Sequence, residues 1–129
     1  MNRTSPGGSW AAVGGYMALI FILSATSFGS PLFRNAQKIH FDKIVHIVEY
    51  TFLGFLLARA WHYSAPGWSK ARLWMTVLAV GVLYAVTDEF HQSFVPTRDA
   101  SVYDGMADTV GLALGCWGRL KKMKRSNNA

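Results

Sequence analysis

The sequence has a single cysteine, Cys116, and four prolines in 129 residues. One cysteine excludes a disulfide-stapled scaffold and a cysteine-rich zinc domain. Charge is scarce as well. Asp, Glu, Lys and Arg together make up 16% of the chain, against about 25% in ordinary soluble domains. Acids are missing altogether before Asp42, and Thr4 to Phe33 carries no formal charge of either sign. The chain is nevertheless 51% hydrophobic and 14% aromatic, which excludes intrinsic disorder. Its serines and its cysteine fit no nucleophile motif, and no two histidines stand four apart on one helix, so the common hydrolase and zinc-enzyme signatures are absent. There is no internal repeat and no low-complexity tract.

Long apolar runs fill the space that charge leaves. Four are long enough, or nearly so, to cross a bilayer as helices, which takes about 20 residues at about 1.5 Å each. They lie at about residues 10–28, 44–61, 73–90 and 103–118. The first has a second reading. Arg3 ahead of an apolar run and the small residues of LSATS (23–27) resemble a cleavable signal peptide, but the run is long and no A-x-A site follows. Gly29 and Pro31 break the chain after the first run, and residues 31–40 could form a short interfacial helix. Pro66 and Gly67 force a turn between the second and third runs. Gly111 and Gly115 form a small-xxx-small pair suited to close helix packing. Cys116, beside them, reads as a small inert hydrophobe.

The net charge of +6 raises the possibility of a nucleic-acid partner, but the placement of the charges argues against it. With the N-terminus inside, the inner segments hold Arg3, Arg59, Lys70, Arg72, Arg119, Lys121, Lys122, Lys124 and Arg125, and no acid. The outer segments hold Arg34, Lys38, Lys43 and Arg98 together with all seven acids. Such an excess of Lys and Arg on one side follows the positive-inside rule and places both termini in the cytoplasm. The basic tail 119–129 then anchors the chain at lipid head groups. The five tryptophans fall near the inferred inner boundaries, as an aromatic belt requires.

Two clusters interrupt the apolar pattern. Asp42, His46 and Tyr50 recur every fourth residue and share one helix face, with Lys43 and Glu49 close by. Asp88 and Gln92 share a second face, with Glu89 beside them, and Asp104 and Asp108 share a third. All three stripes lie at the outer end of the expected bundle. Ionisable groups at membrane depth cost about 2.5–3.5 kcal/mol each, so they should face the bundle interior, a wet cleft or one another. Asp42 and Asp104 also suit N-cap or first-turn positions, where the helix dipole favours anions.

Several roles fit this constellation. It could be a self-satisfied structural network, with Lys43 or Arg98 pairing Asp42 or Asp104. It could be an acid–base site, with His46 as base and Asp88 or Glu89 orienting it. It could bind an anion through Arg98 and Lys43. A metal set drawn from His46, Glu49, His91 and the aspartates has weak support, because an H-x-x-E spacing is common by chance, and neither metal nor cofactor is expected.

At these clusters the chain resembles the VanZ-like family of small integral membrane proteins. The resemblance rests on D-K-x-x-H-x-x-x-Y at Asp42–Tyr50, D-E-x-x-Q-x-F-x-P-x-R at Asp88–Arg98, an acid at Asp104 and a glycine at Gly111. It covers about Phe41 to Gly115. The chain departs from the family at Asp108, where an asparagine is usual three residues before that glycine. The family is named for a protein implicated in low-level teicoplanin resistance. The resemblance therefore implies a cell-envelope role, directed at a surface lipid or glycan precursor.

The resulting expectation is a single all-α domain of about four transmembrane helices in a bacterial inner membrane, with a polar pocket at its outer face. Asp42, Lys43, His46, Tyr50, Asp88, Glu89, Gln92, Arg98 and Asp104 are its expected ligand-binding residues, with His46, Asp88 and Glu89 also candidates for catalysis. Membrane lipids and a lipid-linked or glycan ligand are the expected partners, with no nucleic acid.

Overall fold

A computed structural model describes residues 5–25, 38–96 and 100–126. The chain folds as four helices, α1 (Pro6–Ala25), α2 (Lys38–Ser64), α3 (Lys70–Gln92) and α4 (Val102–Ser126), and the described residues contain no strand. Local chemistry sets several of the ends. Pro6 opens α1, where its missing N–H costs nothing, and the Ser5 hydroxyl accepts from the Gly8 N–H at 3.1 Å. Ser69 caps α3 by accepting from the Arg72 N–H at 3.2 Å. Pro66 and Gly67 follow the end of α2 and prevent its continuation.

α2 begins at Lys38, so residues 38–40 belong to it. The rest of the segment expected as an interfacial helix, 31–37, lies outside the described residues, as do Arg3 and Arg34. The early start also corrects the expectation for Asp42. Asp42 lies beyond the first turn of α2, which contains no acid, so it cannot cap that helix. Asp104 does sit in the first turn of α4. The basic stretch after Gly118 continues as helix through Ser126.

α2 and α4 form the most extensive pair, and α3 and α1 pack around them. Glycine makes the α2–α4 approach possible. A Cβ on Gly111 would lie 2.5 Å from the Ile47 carbonyl oxygen, and one on Gly115 would lie 2.6 Å from the Phe55 nitrogen. Tyr50, Leu53, Leu57, Val77, Leu112 and Cys116 fill the core.

Three helical segments are long and apolar enough to cross a membrane: Pro6–Ala25, Asp42–Ser64 and Lys70–Gln92. α4 is more polar overall, yet its sides are sorted. Tyr103, Met106, Val110, Leu114 and Trp117 are exposed, while Asp104, Asp108, Cys116 and Arg119 are buried. Ile22, Phe52, Met75, Leu83 and Phe90 are likewise exposed on the other helices. An apolar exterior around buried charged groups is what a hydrocarbon environment selects and water does not.

The end of the bundle formed by the start of α1, the end of α2 and the start of α3 is aromatic. Trp10 meets Trp61 edge-on at 5.0 Å and donates to the Ser64 hydroxyl at 2.7 Å. Trp61 stacks on Trp68 at 4.8 Å, and the Arg72 guanidinium covers Trp68 at 4.6 Å. Such rings, apolar in body with a polar tip, favour a membrane–water boundary.

Candidate functional site

The opposite end gathers the polar stripes of three helices. The His46 Nδ1 of α2 lies 2.8 Å from the Asp108 Oδ1 of α4, in a pair that is 4% and 1% exposed. One turn earlier on both helices, the Lys43 ammonium donates to the Asp104 carboxylate and lies 3.8 Å from an Asp42 oxygen. The two pairs therefore form successive rungs between α2 and α4, as the three-residue spacing of Lys43 and His46 and the four-residue spacing of Asp104 and Asp108 allow.

α3 contributes Asp88, Glu89 and Gln92. The buried Asp88 carboxylate accepts from the Ser24 hydroxyl of α1 at 2.7 Å, and from the Gln92 amide at 3.4 Å on the same oxygen. Glu89 turns toward α4 and accepts from the Ser101 N–H at 3.1 Å, which ties the end of α3 to the start of α4. One His46 nitrogen and one oxygen each from Glu89 and Asp108 all lie within 4.8 Å of one another.

Tyr50 stands one turn below His46 on α2 and is fully buried. Its hydroxyl lies in the electrostatic field of the Asp108, Asp88 and Glu89 carboxylates. Among the described residues, the Tyr50 hydroxyl, Glu89 Oε1 and Asp108 Oδ2 are buried with no hydrogen-bond partner. Buried polar atoms are normally satisfied, so three orphans around one histidine need a physical reason.

An open groove of about 780 Å³ runs between α3 and α4 beside this cluster. Val82, Ala85, Val86, Phe90, Met106 and Val110 line it, and among the described residues Glu89 is the one acid on its wall.

The structure thus brings Asp42, Lys43, His46, Tyr50, Asp88, Glu89, Gln92 and Asp104 to one end of the bundle. Arg98, the expected anion-binding residue of the loop, lies outside the described residues. The two weaker metal candidates, Glu49 and His91, are in neither compact group of possible metal ligands among the described residues; the His91 ring stacks on Phe21 at 4.0 Å. Two residues escaped the sequence-based list of binding residues. Asp108 bonds His46 directly, and its position one turn after Asp104 was the available signal. Ser24 reaches Asp88 from α1, where the buried positions Ser9, Val13, Ile20 and Ser24 trace one helical face.

A family model described as VanZ/LLP1 matches residues 6–119, and the chain belongs to that family. No curated protein and no solved structure matches it significantly.

Proposed function

We propose that this VanZ/LLP1 protein is a four-span protein of a bacterial cytoplasmic membrane, with both termini cytoplasmic, that binds a lipid-linked cell-envelope precursor. The groove between α3 and α4 carries the reading. It is apolar and open along the side of the bundle, and it runs past a buried polar cluster. A hydrocarbon chain fits the first feature and a polar head group the second, the combination common to ligand sites. The described head-group partners are mostly acids, and Lys43 is already engaged by Asp104 and Asp42. Sugar hydroxyls suit such acceptors better than a bare anion does. An anionic group would depend on Arg98. By holding such a precursor, the protein would change how a glycopeptide antibiotic meets the envelope.

The alternative, a head-group transferase or hydrolase with His46 as base, has less support. Of the two acids expected to orient that base, Asp88 is engaged by Ser24 and Gln92, and one Glu89 oxygen accepts from the Ser101 N–H.

Gly105 offers a clean test. It lines the groove, and a Cβ there meets nothing within 4 Å. Gly105→Leu should fill the groove while leaving the bundle intact. Native mass spectrometry of detergent-purified protein should find a lipid-linked species on the unaltered chain and lose it from the variant. Identical lipid content in both would remove the groove as the binding site.

A further inference from the structure

We propose that His46, Glu89 and Asp108 form a binding site for one divalent transition-metal cation of the zinc or manganese class. The three residues come from α2, α3 and α4 and meet inside the bundle, with one donor atom from each lying within 4.8 Å of the other two. An imidazole with two carboxylates is a mixed nitrogen–oxygen set of the kind that holds such cations and leaves positions open. The separations suit it. Bonds of about 2.0–2.2 Å place neighbouring ligands roughly 2.9–3.4 Å apart and opposite ones roughly 4.1–4.3 Å apart. His46 Nδ1 and Asp108 Oδ1 are already 2.8 Å apart, and an approach of Glu89 from within 4.8 Å completes the set.

The orphaned atoms point independently to a cation. Asp108 Oδ2 and Glu89 Oε1 are buried without hydrogen-bond partners, and so is the hydroxyl of the fully buried Tyr50. Tyr50 stands in the field of the Asp108 and Glu89 carboxylates. A structural network would satisfy these groups with one another. Two of these atoms, Asp108 Oδ2 and Glu89 Oε1, are carboxylate oxygens, which only accept when ionised, and a cation satisfies such oxygens directly. The neighbouring group of Asp42, His46 and Asp104 is also compact, but the Lys43 ammonium contacts both of its aspartates and already supplies the positive charge. This inference rests on the cluster alone and not on the lipid-binding reading.

The test uses the full chain in detergent, stripped with a chelator and titrated with zinc, with metal content measured by plasma mass spectrometry. Cobalt serves as a visible-absorption probe of the same site. The unaltered protein should bind one zinc per chain and melt at a higher temperature when loaded. Asp108→Asn keeps the side-chain volume and a hydrogen-bonding group toward His46 but removes the carboxylate. It should weaken zinc binding by at least about tenfold. Glu89→Gln, on a different helix, should do the same. His62→Gln, at the far end of α2, should bind zinc as the unaltered chain does. Less than one tightly held zinc per unaltered chain overturns the proposal. So does zinc binding that survives both Asp108→Asn and Glu89→Gln, since the metal then sits elsewhere.

Discussion

Adding one methyl group at Gly115 should weaken the bundle and separate the polar cluster. In Gly115→Ala the new Cβ would lie 2.6 Å from the Phe55 nitrogen and 2.9 Å from the Thr51 carbonyl carbon, with the Thr51 oxygen closer still. Ordinary contact begins near 3.4 Å, and the obstructing atoms are backbone, so no side-chain rotation relieves the clash. α4 must retreat from α2 by on the order of 1 Å. Overpacking of this kind costs about 1–3 kcal/mol. By the scaling of soluble domains of this size, about 4 °C per kcal/mol, the melting temperature should fall by about 4–12 °C. The same retreat moves Asp108 from its 2.8 Å separation from His46 past the usual hydrogen-bond limit of about 3.2 Å. The assay is thermal loss of the monodisperse peak of detergent-solubilised protein. Gly14→Ala is the control, because a Cβ there meets nothing within 4 Å and alanine is the better helix former by about 1 kcal/mol. If Gly115→Ala melts within about 1 °C of the unaltered chain while Gly14→Ala behaves normally, the glycine-mediated approach of α2 and α4 is wrong.

Three further outcomes follow from single contacts and from charge placement. Tyr84→Phe deletes the 2.6 Å hydrogen bond from its hydroxyl to the Met17 carbonyl, which ties α3 to α1. It should cost about 0.5–1.5 kcal/mol, seen as a lower melting temperature. Ser24→Ala removes the 2.7 Å donor to the buried Asp88 carboxylate. Hydrogen bonds to charged groups contribute about 1.5–3 kcal/mol, so this variant should melt below Tyr84→Phe, and a smaller effect would mean that Asp88 is held by its other neighbours. Reporter fusions at either terminus should be active only with a cytoplasmic reporter. Activity of a periplasmic phosphatase at the C-terminus would refute the orientation drawn from the basic tail.

What could be read from the sequence and what could not separate along physical lines. Four helices and the breaks between them were legible because Pro66, Gly67 and the long apolar runs act locally. The convergence of Asp42, His46, Asp88 and Asp104 on one end followed from four-residue spacing combined with helices that alternate in direction. Which acid faces which base was not legible, because it depends on the rotation of α4 about its axis. That rotation is set by Gly111 and Gly115 against the α2 backbone, and it gives His46 to Asp108 rather than to Asp88. Asp42 was misplaced as a cap because α2 already runs from Lys38, a full turn ahead of it. The part of α1 in the cluster was invisible for another reason. Ser24 is one hydroxyl in an otherwise apolar helix, and only packing reveals that it meets Asp88.

Both ends of the bundle bury polar atoms without hydrogen-bond partners, Trp61 Nε1 among them at the aromatic end, but among the described residues only the polar end leaves carboxylate oxygens so, and the difference bears on function. At the aromatic end, Trp10, Trp61 and Trp68 pack ring on ring, and the Trp10 indole N–H has a hydroxyl partner. At the polar end, α2, α3 and α4 are joined through charged side chains, and buried oxygens of Tyr50, Glu89 and Asp108 are left without hydrogen-bond partners. Unpaired buried polar atoms cost about 1–3 kcal/mol each, and more favourable apolar replacements are chemically simple. A bundle that needed only stability would have no use for them. Because Gly111 and Gly115 lock α4 against α2 one and two turns beyond the cluster, the unsatisfied groups cannot relax by drawing apart. Their free energy is therefore available to whatever completes the site, and binding there should raise the stability of the fold as a whole rather than of one loop.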